Sequence, residues 1–183
     1  MPAFGGGATL EAADRNERDD VAESLLDELK WVHDMLRNDL AIVRRLAGAA
    51  QDGAANAEIQ AGLSRLQTNG PLFALRARCL GYCRLVHSHH RLEDAALFPV
   101  VRDSAPGLTA ALDRLVDDHR VVAGLLDEIE DATGTLDDQD PGVRARLVTA
   151  LGELSEHLLD HLGREEEILA PVLRTWTSWP VHR

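Results

Sequence analysis

The sequence is poor in several residue types, and each shortage limits what the protein can be. Phe, Trp and Tyr together make up only 4% of the 183 residues, so Leu, Val and Ala must fill the core. Lys30 is the single lysine, and 19 Lys+Arg against 31 Asp+Glu give a formal net charge of −12. Such a chain repels phosphate backbones and anionic lipid unless its cations are concentrated in a patch, and the sequence contains no basic patch. We therefore expect no nucleic-acid partner and no membrane partner.

Cysteine and long apolar runs are also scarce. The only two cysteines, Cys79 and Cys83, are four residues apart, a spacing that rarely allows a disulfide within one helix. We predict reduced thiols in a cytoplasmic protein, because two cysteines are too few for a disulfide framework. No stretch approaches the ~18 apolar residues of a membrane span. Met1 to Thr9 lacks the basic start and apolar run of a signal peptide.

Four segments repeat apolar residues at steps of three and four, which is the spacing of amphipathic helices. The predicted helices span about 17–48, 71–102, 107–132 and 141–173, with a short helical piece at about 57–67. No segment alternates with period two. Because the links are short, the pattern predicts an all-α fold, an antiparallel, up-down-up-down four-helix bundle. We expect a flexible N-terminal tail at 1–16, the bundle at 17–174 and a C-terminal tail at 175–183.

Each predicted helix places a histidine on its apolar stripe, and two of them add a glutamate four residues later. The inward-facing candidates are His33, His89, Glu93, His119, His161 and Glu165. Burying these groups together is costly unless something compensates, and a metal ion does so. Imidazole and carboxylate ligands without thiolate suit iron or manganese, and zinc is also compatible. Two carboxylates on different helices can bridge two metals ~3.5–4 Å apart. The alternative is a structural bundle whose histidines are hydrogen-bonded core residues.

This ordered pattern resembles the hemerythrin-like family, the HHE cation-binding domains, over roughly residues 20–173. The local sequences His-His-Arg-Leu-Glu-Asp-Ala-Ala-Leu-Phe-Pro at 89–99 and His-Leu-Gly-Arg-Glu-Glu-Glu-Ile-Leu-Ala-Pro at 161–171 also resemble it. The resemblance implies a four-helix bundle that holds two non-haem iron ions. It further implies terminal ligands at His33, His89, His119 and His161, with Glu93 and Glu165 bridging the irons.

The chain departs from the oxygen-carrying hemerythrins on the third helix, where they have a His-x-x-x-His pair and this chain has only His119. His157, one turn before His161, is a candidate fifth ligand. However, the helix rises ~12 Å from His157 to Glu165, so His157 is alternatively a residue next to the site or a core histidine below it.

Other polar residues near the motifs have open roles. His90 points about 100° away from His89 around the helix, so it is either a neighbour of the ligands or the ligand in place of His89. Tyr82 lies on the same face as His89, where it either lines the site or only packs. Asp94, Glu166 and Glu167 adjoin the candidate ligands in sequence, and we expect them to face solvent.

The resemblance implies a protein that binds or senses O₂ or a related small oxidant at its iron centre. Two alternatives use the same centre. One is an enzyme that turns over H₂O₂ or nitric oxide, and the other is an iron-handling or iron-responsive protein. The assignment of enzymatic activity, the identity of any catalytic residue and the oligomeric state stay open at this point.

Overall fold

The computed structural model describes residues 7–51, 71–135 and 141–179, with side chains described for 25–49, 79–135 and 142–179. Within these ranges the chain contains helices and no strand. The elements are helix α1 (Gly7–Gln51), helix α2 (Pro71–Leu92), a π-helical turn (Glu93–Leu97), helix α3 (Phe98–Ser104), a 3-10 turn (Pro106–Leu108), helix α4 (Thr109–Gly134) and helix α5 (Pro141–Leu173). The all-α prediction is confirmed. The helical piece predicted at 57–67 lies outside the described residues.

Proline marks the first position of several elements. Pro71 begins α2, Pro141 begins α5 and Pro106 begins the 3-10 turn that separates α3 from α4. A proline at the first helical position costs no hydrogen bond, because that N–H has no partner within the helix, and its fixed φ suits the helix. None of the helices in the described ranges combines the length and apolar character that a membrane span requires.

Helix α1 is longer than the sequence pattern predicted. It begins at Gly7, so residues 7–16 of the predicted N-terminal tail are helical, and it ends at Gln51. The prediction relied on apolar periodicity, which is absent before residue 17. Helix propensity explains the extension, because the chain contains neither Gly nor Pro between Gly7 and Gly48 and is rich in Ala, Leu, Glu and Arg.

The core consists of two apolar clusters separated by a layer of buried polar residues. One cluster, which we call the upper cluster, includes Leu36, Leu40, Cys79, Tyr82, Val122, Leu126, Leu154 and Leu158. The lower cluster includes Leu26, Leu29, Phe98, Val101, Leu112, Leu115, Leu169 and Leu173. The polar layer consists of the buried side chains His33, His90, Glu93, His119, His161 and Glu165, together with His89, and on each of the four long helical segments these residues lie where the chain passes from one cluster to the other. Apolar packing on both sides therefore positions the polar layer.

Side-chain contacts establish the relative direction of two helix pairs. Between α1 and α5, His33 contacts Glu166 and Arg44 contacts Ser155. Between α4 and the segment formed by α2 and the π-helical turn, Cys83 contacts Leu126 and Asp94 contacts His119. In each pair, residue numbers rise along one helix as they fall along the other, so both pairs are antiparallel. The complete up-down-up-down order stays a prediction.

Candidate metal centre

The polar layer contains two overlapping groups of side chains with the donor atoms of a metal site. The first group consists of His90, Glu93, His119 and His161, and the second consists of His33, His89, Glu93 and Glu165. Within each group, one donor atom from every residue lies within 4.8 Å of the others. Glu93 belongs to both groups. The residues come from α1, α2, the π-helical turn, α4 and α5, so the whole bundle builds the centre.

The imidazole Nε2 atoms converge on the two carboxylates. Glu93 has one oxygen 3.0 Å from Nε2 of His89 and the other 3.6 Å from Nε2 of His119. Glu165 Oε2 is 3.5 Å from Nε2 of His33 and 3.5 Å from Nε2 of His161. Each carboxylate therefore faces one histidine from each group.

Many of these converging atoms have no hydrogen-bond partner among the described residues. They are the Nε2 atoms of His33, His89 and His90 and both carboxylate oxygens of Glu93 and Glu165. Buried polar atoms in native proteins almost always have a hydrogen-bond partner, so a concentration of buried atoms without one indicates a binding site for a group that is not part of the chain. Closely spaced donor atoms of this kind fit metal ions, and the mixed imidazole and carboxylate donor set fits iron or manganese.

Carboxylates outside the centre orient the imidazoles. Glu166 Oε1 lies 2.9 Å from Nδ1 of His33, and Asp94 Oδ1 lies 2.9 Å from Nδ1 of His119. Arg37 donates a hydrogen bond to the same Glu166 oxygen at 2.8 Å. When Nδ1–H donates to a carboxylate, the Nε2 lone pair is free for a metal, and the ring is held in place.

The environment keeps the imidazoles neutral. Burial lowers the pKa of His33 and His90, and lowers the pKa of His89 and His161 to about 3. Burial also lowers the pKa of His119, although the neighbouring Asp94 opposes this shift. Neutral imidazole is the form that binds metals, so no proton has to leave these rings at neutral pH.

The two carboxyl groups shift in the opposite direction. Burial, together with the charge of Glu165, raises the pKa of Glu93, and burial raises the pKa of Glu165. Both side chains are almost fully enclosed, with 3% and 0% relative exposure. Two nearby carboxylates without a cation repel each other, so a bound cation would favour their ionised form.

A π-helical turn begins at Glu93, where the backbone N–H of Phe98 donates to the Glu93 carbonyl. This hydrogen bond joins residues five positions apart in the sequence, whereas those of an α-helix join residues four apart. Such turns occur frequently at functional sites. The helical period cannot reveal this turn, because the sequence around it reads as an ordinary amphipathic helix.

The structure brings together all six of the principal candidate ligands, namely His33, His89, Glu93, His119, His161 and Glu165. It also adds a residue that the sequence left ambiguous. His90 is buried at 5% exposure and lies in the first group, while His89 lies in the second. The two neighbours are therefore not alternatives, because each approaches a different group.

Two other candidates lie outside both groups. His157 is exposed, because the inward face of α5 at this level is formed by Leu154, Leu158 and His161. It lies in neither group, so the structure supports neither the fifth ligand nor the core histidine predicted for this position. Tyr82 is buried at 4% exposure in the upper cluster, where its hydroxyl has no partner among the described residues.

The expectation that the adjoining acidic residues face solvent is only partly correct. Glu167 and Asp94 are exposed as expected, although Asp94 also accepts a hydrogen bond from His119, whereas Glu166 is half-buried and accepts one from His33. The signal in the sequence is their position next to a candidate ligand, which alone does not distinguish a solvated carboxylate from one that orients an imidazole.

These features define a helical-bundle protein with a histidine–carboxylate metal centre. The family model described as the hemerythrin HHE cation binding domain matches residues 24–173, and the chain belongs to this family. The match spans every residue of both ligand groups. Neither the curated proteins nor the solved structures include a match to this chain.

Proposed function

We propose that the protein holds two non-haem iron ions in the polar layer and uses them to bind or sense O₂ or a related small oxidant. The observation that carries this proposal is the sharing of Glu93 between two four-residue groups of metal-ligating side chains. Membership in the hemerythrin HHE family supports the same conclusion.

The residues divide naturally between two ions. His90, His119 and His161 would hold one ion and His33 and His89 the other, with the carboxylates Glu93 and Glu165 facing histidines of both groups. Imidazole and carboxylate donors without thiolate favour iron over softer metals. When bound, ferrous ions supply electrons that a small oxidant can accept. The protein side chains orient the donors and keep bulk water out of the layer.

The first test is the metal content per chain of protein purified without added metal. We expect about two irons per chain, as a two-metal site requires. Glu165→Gln should lose metal, because it removes a charge that faces both groups. Glu167→Gln is the matched control, since Glu167 is exposed two residues away and should retain the full content. Equal metal content in the two variants would contradict the ligand assignment.

Oxygen exposure of the reduced protein then distinguishes the proposed role from its alternatives. A reversible absorbance change on cycling between O₂ and argon supports binding. Catalytic loss of H₂O₂ or nitric oxide would assign turnover instead, and clearly more than two irons per chain would assign iron storage. Cys79 and Cys83 are buried free thiols, which supports our proposal that the protein works in the reducing cytoplasm.

A further inference from the structure

An apolar cavity of about 310 Å³ lies beside the second ligand group, between α1 and the segment that contains the π-helical turn. Its walls include Leu29 and Val32 from α1 and Ala96 and Leu97 from the π-helical turn. His89 and Glu93 are also part of its lining. The cavity therefore connects an apolar space directly to two residues of the candidate metal centre.

We propose that this cavity binds a small, uncharged, apolar organic molecule and holds it next to the metal bound by His33, His89, Glu93 and Glu165. The inference rests on the proposed function, because it takes that centre as the reactive partner of the bound molecule. It goes further by assigning a class of ligand that is much larger than O₂.

Size and lining both favour this class of ligand. An apolar cavity of ~150 Å³ can take up benzene, so about 310 Å³ accommodates an aromatic ring with substituents. Among the described residues that line the cavity there is no Lys or Arg, whereas Glu28 and Glu93 are both present. Away from the metal-ligating end, an anionic ligand would therefore meet Glu28 without a lining cation to pair with, whereas an uncharged apolar ligand needs no such partner.

The lining of the cavity also includes a residue of the segment after α5. The indole Nε1–H of Trp179 donates a hydrogen bond to Glu28 Oε2 at 2.5 Å, which joins the segment after α5 to α1. Trp179 lies beyond residues 24–173, the part that matches the family model. Leu92, which also lines the cavity, is 63% exposed. The Trp179 ring offers an aromatic wall, and Leu92 extends the apolar surface towards solvent.

The test is a titration of the metal-containing protein with 4-fluorotoluene, followed by ¹⁹F NMR. We expect saturable binding to the wild-type protein. Ala96→Phe fills the cavity and should weaken binding at least tenfold. The control is Ala123→Phe, since Ala123 is also a half-buried alanine but lies on α4 outside the cavity, and this variant should bind the probe like wild type. Absence of saturable binding, or equal affinity in both alanine variants, would overturn the proposal.

Folding and metal content are measured on the same samples as probe binding. Circular dichroism verifies that each variant is folded, and Val32→Phe fills the same cavity from α1 if Ala96→Phe does not fold. Two metals per chain with no probe binding would refute the cavity assignment alone. Cavity-dependent probe binding by a protein that takes up no metal would support the cavity as a ligand site and refute the proposed function.

Discussion

Replacing Glu93 by methionine separates the energetic cost of this buried carboxylate from its proposed role as a metal ligand. Glu93 is 3% exposed, and neither of its oxygens has a hydrogen-bond partner among the described residues. Leaving a buried polar group unsatisfied costs ~1–3 kcal/mol. Methionine has a similar length and shape without the polar oxygens. We therefore expect Glu93→Met to raise the free energy of unfolding of the metal-free protein by ~1–3 kcal/mol.

The effect should reverse when metal is present. A ligand that binds only the folded state at about a thousand times its dissociation constant stabilises that state by ~4 kcal/mol. Wild-type protein should gain stabilisation of this order. Glu93→Met lacks the residue common to both ligand groups, so its gain should be much smaller. Metal-loaded wild type should then be more stable than the variant under the same conditions.

Urea unfolding followed by circular dichroism measures both states, once with a chelator and once with excess ferrous iron under argon. Each kcal/mol corresponds to a shift in Tm of ~2–4 °C for a chain of this size, so thermal unfolding provides a second readout. Glu167→Met is the control, because an exposed substitution should stay within ~0.5 kcal/mol. Destabilisation of the metal-free protein by Glu93→Met, or equal metal stabilisation of variant and wild type, would refute the reasoning.

Three further measurements test neighbouring parts of the centre. His90→Ala should reduce the metal content measured by elemental analysis, whereas His157→Ala should leave it at the wild-type value. A wild-type metal content in both variants would argue against two separate groups. Glu166→Gln weakens the acceptor for His33 and should lower metal affinity ~10–100-fold in a competition titration with a chelator, while an unchanged affinity would leave Glu166 no orienting role. The free energy of unfolding of the metal-free protein should fall between pH 6.5 and 5, because imidazoles such as His89, whose pKa burial lowers to about 3, bind protons only after unfolding. The carboxyl groups of Glu93 and Glu165 have raised pKa values and act in the opposite direction, but the buried histidines outnumber them. If urea titrations showed a free energy of unfolding that stayed constant or rose as the pH fell from 6.5 to 5, this would contradict the burial of the histidines.

Helical periodicity was sufficient to predict the four long helical segments and to place the six principal candidate ligands in the core. The reason is geometric, because residues three or four apart lie on one face of a helix, and that face must be buried. His119, for example, lies between Leu115 and Val122 on one stripe, and all three are buried. A polar residue in such a stripe is thereby assigned to the core without knowledge of any other helix.

Features that depend on contact between helices were not accessible in this way. His89 and His90 differ by about 100° on a helical wheel, so periodicity selects only one of them. In the structure both approach the centre, because partners from different helices flank them: His33 lies against His89 and His119 stacks on His90. The hydrogen bond between Glu166 and His33 likewise joins residues far apart in sequence, and no local pattern predicts it.

The two groups of candidate ligands differ in their surroundings, because side chains cover one group and the apolar cavity borders the other. The ring of His119 stacks against His90 on one side, with ring centroids 4.0 Å apart, and against Phe98 on the other, at 5.5 Å. These rings cover the first group with side chains of the protein. The second group instead includes His89, which lines the apolar cavity together with the shared Glu93. A small molecule arriving through that cavity therefore meets the second group before the first, so we expect the two metal positions to be chemically unequal.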